Sequence, residues 1–130
     1  MTHRHEVRVY YDDTDLAGIV YYANYLRFIE RGRSELVRAC GLDQRRLKAE
    51  AGIVFAVRRV EADYLAPAVF DDVLTVETAL VELGGARIVL DQAVLRGAER
   101  LFAARVVLVC VGADMRPARV PPAVRAALGA

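Results

Sequence analysis

Residues 21–41 read YYANYLRFIERGRSELVRACG, and the rhythm of their apolar side chains decides the fold. Tyr25, Ile29, Gly32, Leu36 and Cys40 recur at spacings of four, three, four and four. That is the period of an amphipathic α-helix with one buried stripe. Arg27, Glu30, Arg31, Arg33, Glu35 and Arg38 fall mostly off the stripe. The spacing predicts a long helix from about Tyr22 to Cys40, stopped by Gly41. Gly32 is out of character, because glycine weakens a helix by about 1 kcal/mol relative to alanine. Close approach of a neighbouring backbone accounts for it.

The period changes on both sides of this helix. Residues 4–11 are rich in Val and Tyr and read as a short strand. A second short helix is expected over 43–51. From Ile53 onward four runs look like strands: IVFAVRRVEADYLAP, DVLTVETALVEL, ARIVLDQAVLRG and RLFAARVVLVCVG. APAVFD, GG and GAE divide them, each reading as a turn. In the second run Leu74, Val76, Thr78 and Leu80 alternate with Val73, Thr75, Glu77 and Ala79. The third and fourth are nearly continuous, as central strands are. The tail after Met115 runs over the surface and ends in one helical turn. One long helix against an antiparallel meander makes a two-layer α+β sandwich. Its edge strands must be covered or paired, and subunit pairing would do so.

Composition agrees and removes several functional classes. The 130 residues form a single domain, 1–130, with a real core. A hydrophobic fraction of 55% is high and suggests apolar surface buried against a second subunit or a ligand. Eighteen basic and seventeen acidic side chains leave a net charge of +1, so no electrostatic case for nucleic acid exists. No apolar run reaches the roughly 18 residues of a membrane span. The polar start MTHRHEVRV has no secretory pattern, and a cytoplasmic location is expected. Cys40 and Cys110 read as reduced, buried thiols rather than a disulfide or a zinc site. His3 and His5 are placed in a ragged terminus and are not read as ligands. With only two histidines, a Ser–His–Asp triad and a His-based metal site are set aside.

Just before the helix, YDDTDLAG packs Asp12, Asp13 and Asp15 into four positions. A calcium loop starting at Asp13 would place Asp15 and Gly18 correctly, but Ala17 and Asn24 fall where oxygen ligands are needed. A phosphotransfer pair would want Thr where Ala17 stands. Neither a metal nor a cofactor is expected. Asp12 reads as a solvated loop carboxylate, and Asp13 as a structural one that bonds nearby backbone groups. Two readings stay open for Asp15. It is a capping-loop carboxylate, or it is a base or nucleophile beside a helix N-terminus whose free N–H groups would hold an oxyanion.

VYYDDTDLAGIVYYANYLRFIERGRSELVRACG, residues 9–41, resembles the 4-hydroxybenzoyl-CoA thioesterase family of hotdog-fold enzymes. The likeness is greatest to the branch associated with the Tol–Pal envelope gene cluster. VRRVEADYLAPAVFDDVLTVET and VVLVCVGADMRPARVP are similar to the same branch, so nearly the whole chain is covered. The resemblance implies a five-stranded antiparallel sheet wrapped around one long helix. It implies hydrolysis of acyl-CoA, with a short-chain or aromatic acyl group, to the free acid and CoA. Asp15 would be the catalytic carboxylate, acting as general base or as nucleophile through a mixed anhydride. The backbone N–H of Tyr22 would polarise the thioester carbonyl, Gly18 would let the chain bend between them, and Tyr25 would line the pocket. Many members of the branch carry His where this chain has Tyr22, although the hydroxybenzoyl-CoA enzymes carry Tyr there. A backbone donor survives that exchange.

CoA phosphates call for cations at the mouth of the site. Arg58 and Arg59, adjacent in a strand, should point to opposite faces, and Arg58 fits the family pattern. Arg87 reads as a solvated surface arginine. Expected partners are acyl-CoA, with acyl carrier protein as a second thioester carrier, and other copies of the chain in a homodimer that doubles to a homotetramer. The competing class is a non-catalytic acyl-CoA or acyl-carrier-protein binding module. Such a module has no use for a negative charge at position 15.

Overall fold

The computed structural model describes residues 2–129. The first strand, β1 (Thr2–Arg8), is followed by a 3-10 turn at Tyr11–Asp13. The long helix α1 (Asn24–Ala39) comes next. A short α2 (Gln44–Arg46) runs on into a π-type turn, Leu47–Ala51, which left-handed Gly52 (φ +68°) ends. Four strands follow: β2 (Val54–Tyr64), β3 (Val73–Leu83), β4 (Arg87–Arg96) and β5 (Glu99–Val111). The tail ends in α3 (Pro122–Gly129), longer than the single turn expected. The five strands form one antiparallel sheet in the order β1-β3-β4-β5-β2.

That order corrects the meander in one place. β3, β4 and β5 are joined by tight hairpins, and β4 and β5 are central, as their continuous apolar runs imply. β2, however, does not pair with β3. It pairs with β5 at the far edge, and β1 takes the place beside β3. APAVFD is therefore part of a crossover and not a hairpin turn. Residues 65–72 must cross three strand spacings, about 14 Å, and eight residues reach about 26 Å when extended. A proline-interrupted segment ends a strand equally well in either arrangement, so local sequence does not separate them. The histidines are also corrected: His3 and His5 lie in β1, opposite Thr78 and Val76 of β3, and are not in a frayed terminus.

The helix packs chiefly over β1, β3 and β4. Tyr25, Phe28, Ile29 and Gly32 are its buried face, and they meet Val7, Leu74, Val76, Val94 and Phe102 of the sheet. Phe28 was not on the expected stripe, yet it is fully buried, whereas Leu36 and Cys40 are only half-buried. Gly32 marks a close approach, as inferred, but to side chains of β3 and not to its backbone. A Cβ at this position would stand 2.5 Å from Val76 Cγ1. A buried polar bridge fixes the same contact. The Gln92 amide donates to the Ile29 carbonyl and to Thr78 Oγ1 (both 2.9 Å), and its oxygen accepts from Arg33 (3.0 Å). A second cluster, Ile53, Ile88, Leu90 and Cys110 with Val120 and Val124, seats α3 on the other end of the sheet. Both cysteines are unpaired; Cys110 is buried and Cys40 partly so.

β2 is left bare. The helix lies toward the opposite edge, so Val57, Val60 and Tyr64 stay exposed although their partners in β5, Leu108, Val106 and Phe102, are core or packed on it.

Candidate active site

The acidic stretch folds as a small bridged loop. Asp13 does structural work: one carboxylate oxygen accepts from the Tyr10 N–H (2.8 Å) and the other from the Asn24 side chain (3.0 Å). This ties the 3-10 turn to the start of α1. Thr14 bridges Val20, and the Tyr21 N–H donates to the Asp13 carbonyl. Between those rungs the chain reverses at 15–19. Gly18 donates to the Asp15 carbonyl (2.9 Å) and the Asp15 N–H to the Ile19 carbonyl (3.0 Å). Gly18 stands at φ +81°, which only glycine adopts without strain. The Asp15 side chain closes an Asx turn, its Oδ1 accepting from the Ala17 N–H (3.0 Å). Among the described residues nothing donates to Oδ2. Asp12 is exposed.

Helix α1 begins later than its apolar pattern suggests. Ala23 is the residue before its first turn, and Tyr22 lies in the turn leading in. The helix-start assignment of Tyr22 is therefore moved outward by two residues. The turn closes through Asn24 N–H to the Tyr21 carbonyl (2.8 Å), which leaves the Tyr22 N–H with no acceptor among the described residues. The Tyr64 hydroxyl donates to the Tyr22 carbonyl (2.9 Å) and so pins this peptide to the end of β2.

A cavity of about 380 Å³ opens here, lined by Asp15, Ile19, Val20, Tyr22, Tyr25, Tyr64, Leu65, Ala66 and Pro67. Its walls come from the acidic loop, the helix entry and the crossover, which the fold brings to one end of the sheet. The Val20 N–H donates to the Ala68 carbonyl, and the Ala68 N–H to the Tyr25 hydroxyl (3.1 Å). Arg96 holds the far side of the crossover through Asp72 (2.7 Å) and the Pro67 carbonyl (3.4 Å). Burial works against the Asp72 charge, yet the Val69 N–H and Arg96 outweigh it and hold the carboxyl below its ordinary range. Tyr25 is stacked on Phe102 with centroids 5.1 Å apart. Burial pushes its phenol up, as it does that of Tyr64, where neighbouring Tyr22 and Tyr25 add to it. A larger concavity of about 500 Å³ lies on the open face of the sheet. Its lining is rich in charged side chains, among them Glu61, Asp63, Glu77 and Asp91, and Arg105 is bidentate to Asp91 (2.8 and 3.0 Å).

Three of the residues singled out from sequence therefore surround one cavity: Asp15, Tyr22 and Tyr25. Gly18 shapes the loop from outside the lining. Arg58 is exposed in β2 at a bulge, with Val57 opposite Leu108 and Arg59 opposite Val107, so the simple alternation of Arg58 and Arg59 does not hold. Arg59 pairs with Glu61 (3.0 Å), and exposed Arg87 lies 3.6 Å from Glu82. Tyr64 and the 65–67 segment were missed, because only the crossover brings the end of β2 against the acidic loop.

The chain matches the thioesterase-like superfamily over residues 9–128. It is 42% identical over 122 residues to a Haemophilus influenzae protein named acyl-CoA thioesterase YbgC, covering 93% of this chain and 90% of that one. The crystal structure of a probable thioesterase from Bartonella henselae superposes with a TM-score of 0.90 at 38% identity, over 93% of this chain and all (100%) of the other. A variant of 4-hydroxybenzoyl-CoA thioesterase in complex with 4-hydroxybenzoyl-CoA superposes at 0.91 with 27% identity, over 98% of each chain. The hotdog expected from the sequence is the fold observed, and the chain belongs to the thioesterase-like superfamily.

Proposed function

We propose that the protein is an acyl-CoA thioesterase whose reaction takes place at Asp15. One observation carries this reading. Asp15, whose carboxylate keeps one uncommitted oxygen, and Tyr22, whose backbone N–H has no acceptor among the described residues, line the same largely apolar cavity. In the general-base route Asp15 takes a proton from water as the water oxygen bonds to the thioester carbon. The carbonyl oxygen becomes an oxyanion and is held by the Tyr22 N–H. Collapse breaks the C–S bond, and the proton on Asp15 goes to the departing thiolate, leaving the free acid and CoA. In the nucleophilic route Asp15 itself bonds to the carbonyl carbon and expels the thiolate, and water then hydrolyses the mixed anhydride. A thiol with a pKa near 8.5 is a good leaving group, so neither route needs a histidine.

Gly18 sets the loop bend, and Tyr25 contributes to the acyl-group wall. Arg58, exposed and without an ion pair among the described residues, is assigned to the CoA phosphates. The acyl group is short-chain or aromatic, in keeping with a cavity of about 380 Å³ walled by tyrosines. Acyl carrier protein is a second thioester carrier for the same site. Two chains pair through their bare β2 edges and two pairs form a tetramer; the exposed Val57, Val60 and Tyr64 support this. Unpaired Cys40 and Cys110 suit a reducing, cytoplasmic location. Release of thiol from a panel of straight-chain and aromatic acyl-CoA esters tests the activity. Binding without turnover across the whole panel would replace it with the reading of a thioester-binding module.

A further inference from the structure

Tyr25 carries a hydrogen-bond donor that the folded chain does not use. Its side chain is 3% exposed, and its ring is fully engaged, stacked on Phe102 and edge-on to Phe28 and Tyr64. The hydroxyl oxygen accepts from the Ala68 N–H at 3.1 Å. A phenol also has one proton to donate. Among the described residues no carbonyl, carboxylate or hydroxyl accepts it. Phenylalanine would keep every ring contact, so packing does not explain the hydroxyl. The Ala68 tether explains its lone pair and not its proton. Tyr25 lines the same cavity as Asp15 and Tyr22.

We infer that the Tyr25 hydroxyl is a second oxyanion donor, completing with the Tyr22 N–H a two-point site for the thioester carbonyl oxygen. The inference rests on the reaction site proposed above. It holds for either route, because the carbonyl oxygen takes up negative charge whether water or Asp15 attacks. The Ala68 N–H enters its oxygen from the crossover side and thereby fixes the phenol before substrate arrives. A donor so fixed needs no reorganisation when charge develops, which is where such groups have their effect. A charge-assisted bond to the oxyanion is stronger than the same bond to the ground-state carbonyl. The contribution therefore falls on kcat and not on KM.

The test uses the full-length enzyme with butyryl-CoA and benzoyl-CoA. Tyr25→Phe should lower kcat by about 100-fold with KM within a few-fold, the range expected for one lost oxyanion donor. It also strands the Ala68 N–H, so a lower melting temperature is expected alongside. Difluorotyrosine at position 25 separates the two roles, because fluorination makes the phenol a stronger donor and a weaker acceptor. Below its ionisation it should raise kcat while lowering the melting temperature. A kcat that falls in step with stability would mean the hydroxyl acts only as a tether for Ala68 and would overturn the inference. So would a Tyr25→Phe enzyme within three-fold of wild type while Asp15→Asn is inactive. An Asp15→Asn enzyme with full activity would instead remove the site itself.

Discussion

At the scale of single residues, three neighbouring carboxylates have three different tasks. Asp12 points to solvent, Asp13 staples the turn to the helix entry, and Asp15 keeps an oxygen free at the cavity. Asp15→Asn should retain the fold and lose at least about 100-fold in turnover, the size of an acid–base or nucleophilic contribution. Asp12→Asn in the same assay should stay within a few-fold. Similar rates for the Asp15 variant and wild type would end the proposed chemistry. Tyr22 offers a complementary test, because its proposed donor is backbone. Tyr22→Phe keeps that N–H and should cost only a few-fold; a 100-fold drop with an unchanged circular dichroism spectrum would make the phenol itself catalytic. Asp72 ties pH to the crossover. Its folded pKa lies below the unfolded value of about 3.9, so the pairing stabilises the fold above that pH and is lost as pH falls through the lower folded value. The melting-temperature gap between wild type and Asp72→Asn should be full at neutral pH and close below about pH 4. A gap that did not change with pH would mean the carboxylate charge plays no part.

At the scale of elements, the long helix is positioned by a missing side chain and a buried amide. Alanine at position 32 would improve helix propensity by about 1 kcal/mol. It would also place a methyl group 2.5 Å from Val76 Cγ1, deep in a packed contact where overpacking typically costs 1–3 kcal/mol. Gly32→Ala should therefore be destabilising on balance, by about 1 kcal/mol. Adding Val76→Ala should recover part of the loss, since it removes the clashing methyl group. Chemical denaturation of the two single variants and the double variant gives the coupling energy directly. Additive effects would show that the helix and β3 do not meet there as described. The same contact bears on function, because a helix lifted from β3 carries Tyr22 and Tyr25 away from the crossover that meets them.

At the scale of the whole molecule, the uneven placement of the helix matters most. Covering β1, β3 and β4 buries one half of the sheet and leaves β2 with apolar side chains and an open hydrogen-bonding edge. Light scattering at micromolar concentration should give a dimer or tetramer mass. A monomer would contradict the proposed assembly. Val60→Lys, which puts a charge on that strip, should shift the population toward smaller species while leaving the far-ultraviolet spectrum unchanged.

The sequence alone determined what depends on short-range periodicity. The spacing of Tyr25, Ile29 and Gly32 specifies a helix and its buried side. The alternation from Val73 to Leu80 specifies which face of β3 is core. Gly32 announced a close contact, and the carboxylate–glycine–tyrosine order between Asp13 and Tyr25 named the stretch that borders the cavity. What tertiary structure alone decided is strand order and everything built across it. The residues 65–72 would end a strand in a hairpin or a crossover alike, because proline and small residues interrupt pairing either way. In the folded chain α1 packs on β1, β3 and β4, and β2 lies at the far side of β5. That order brings Tyr64 to Tyr22 and Ala68 to Tyr25 across more than forty positions of chain. The partner of the Tyr25 hydroxyl and the bulge at Arg58 belong to the same class. Both are set by where distant strands meet, and no local pattern of side chains encodes them.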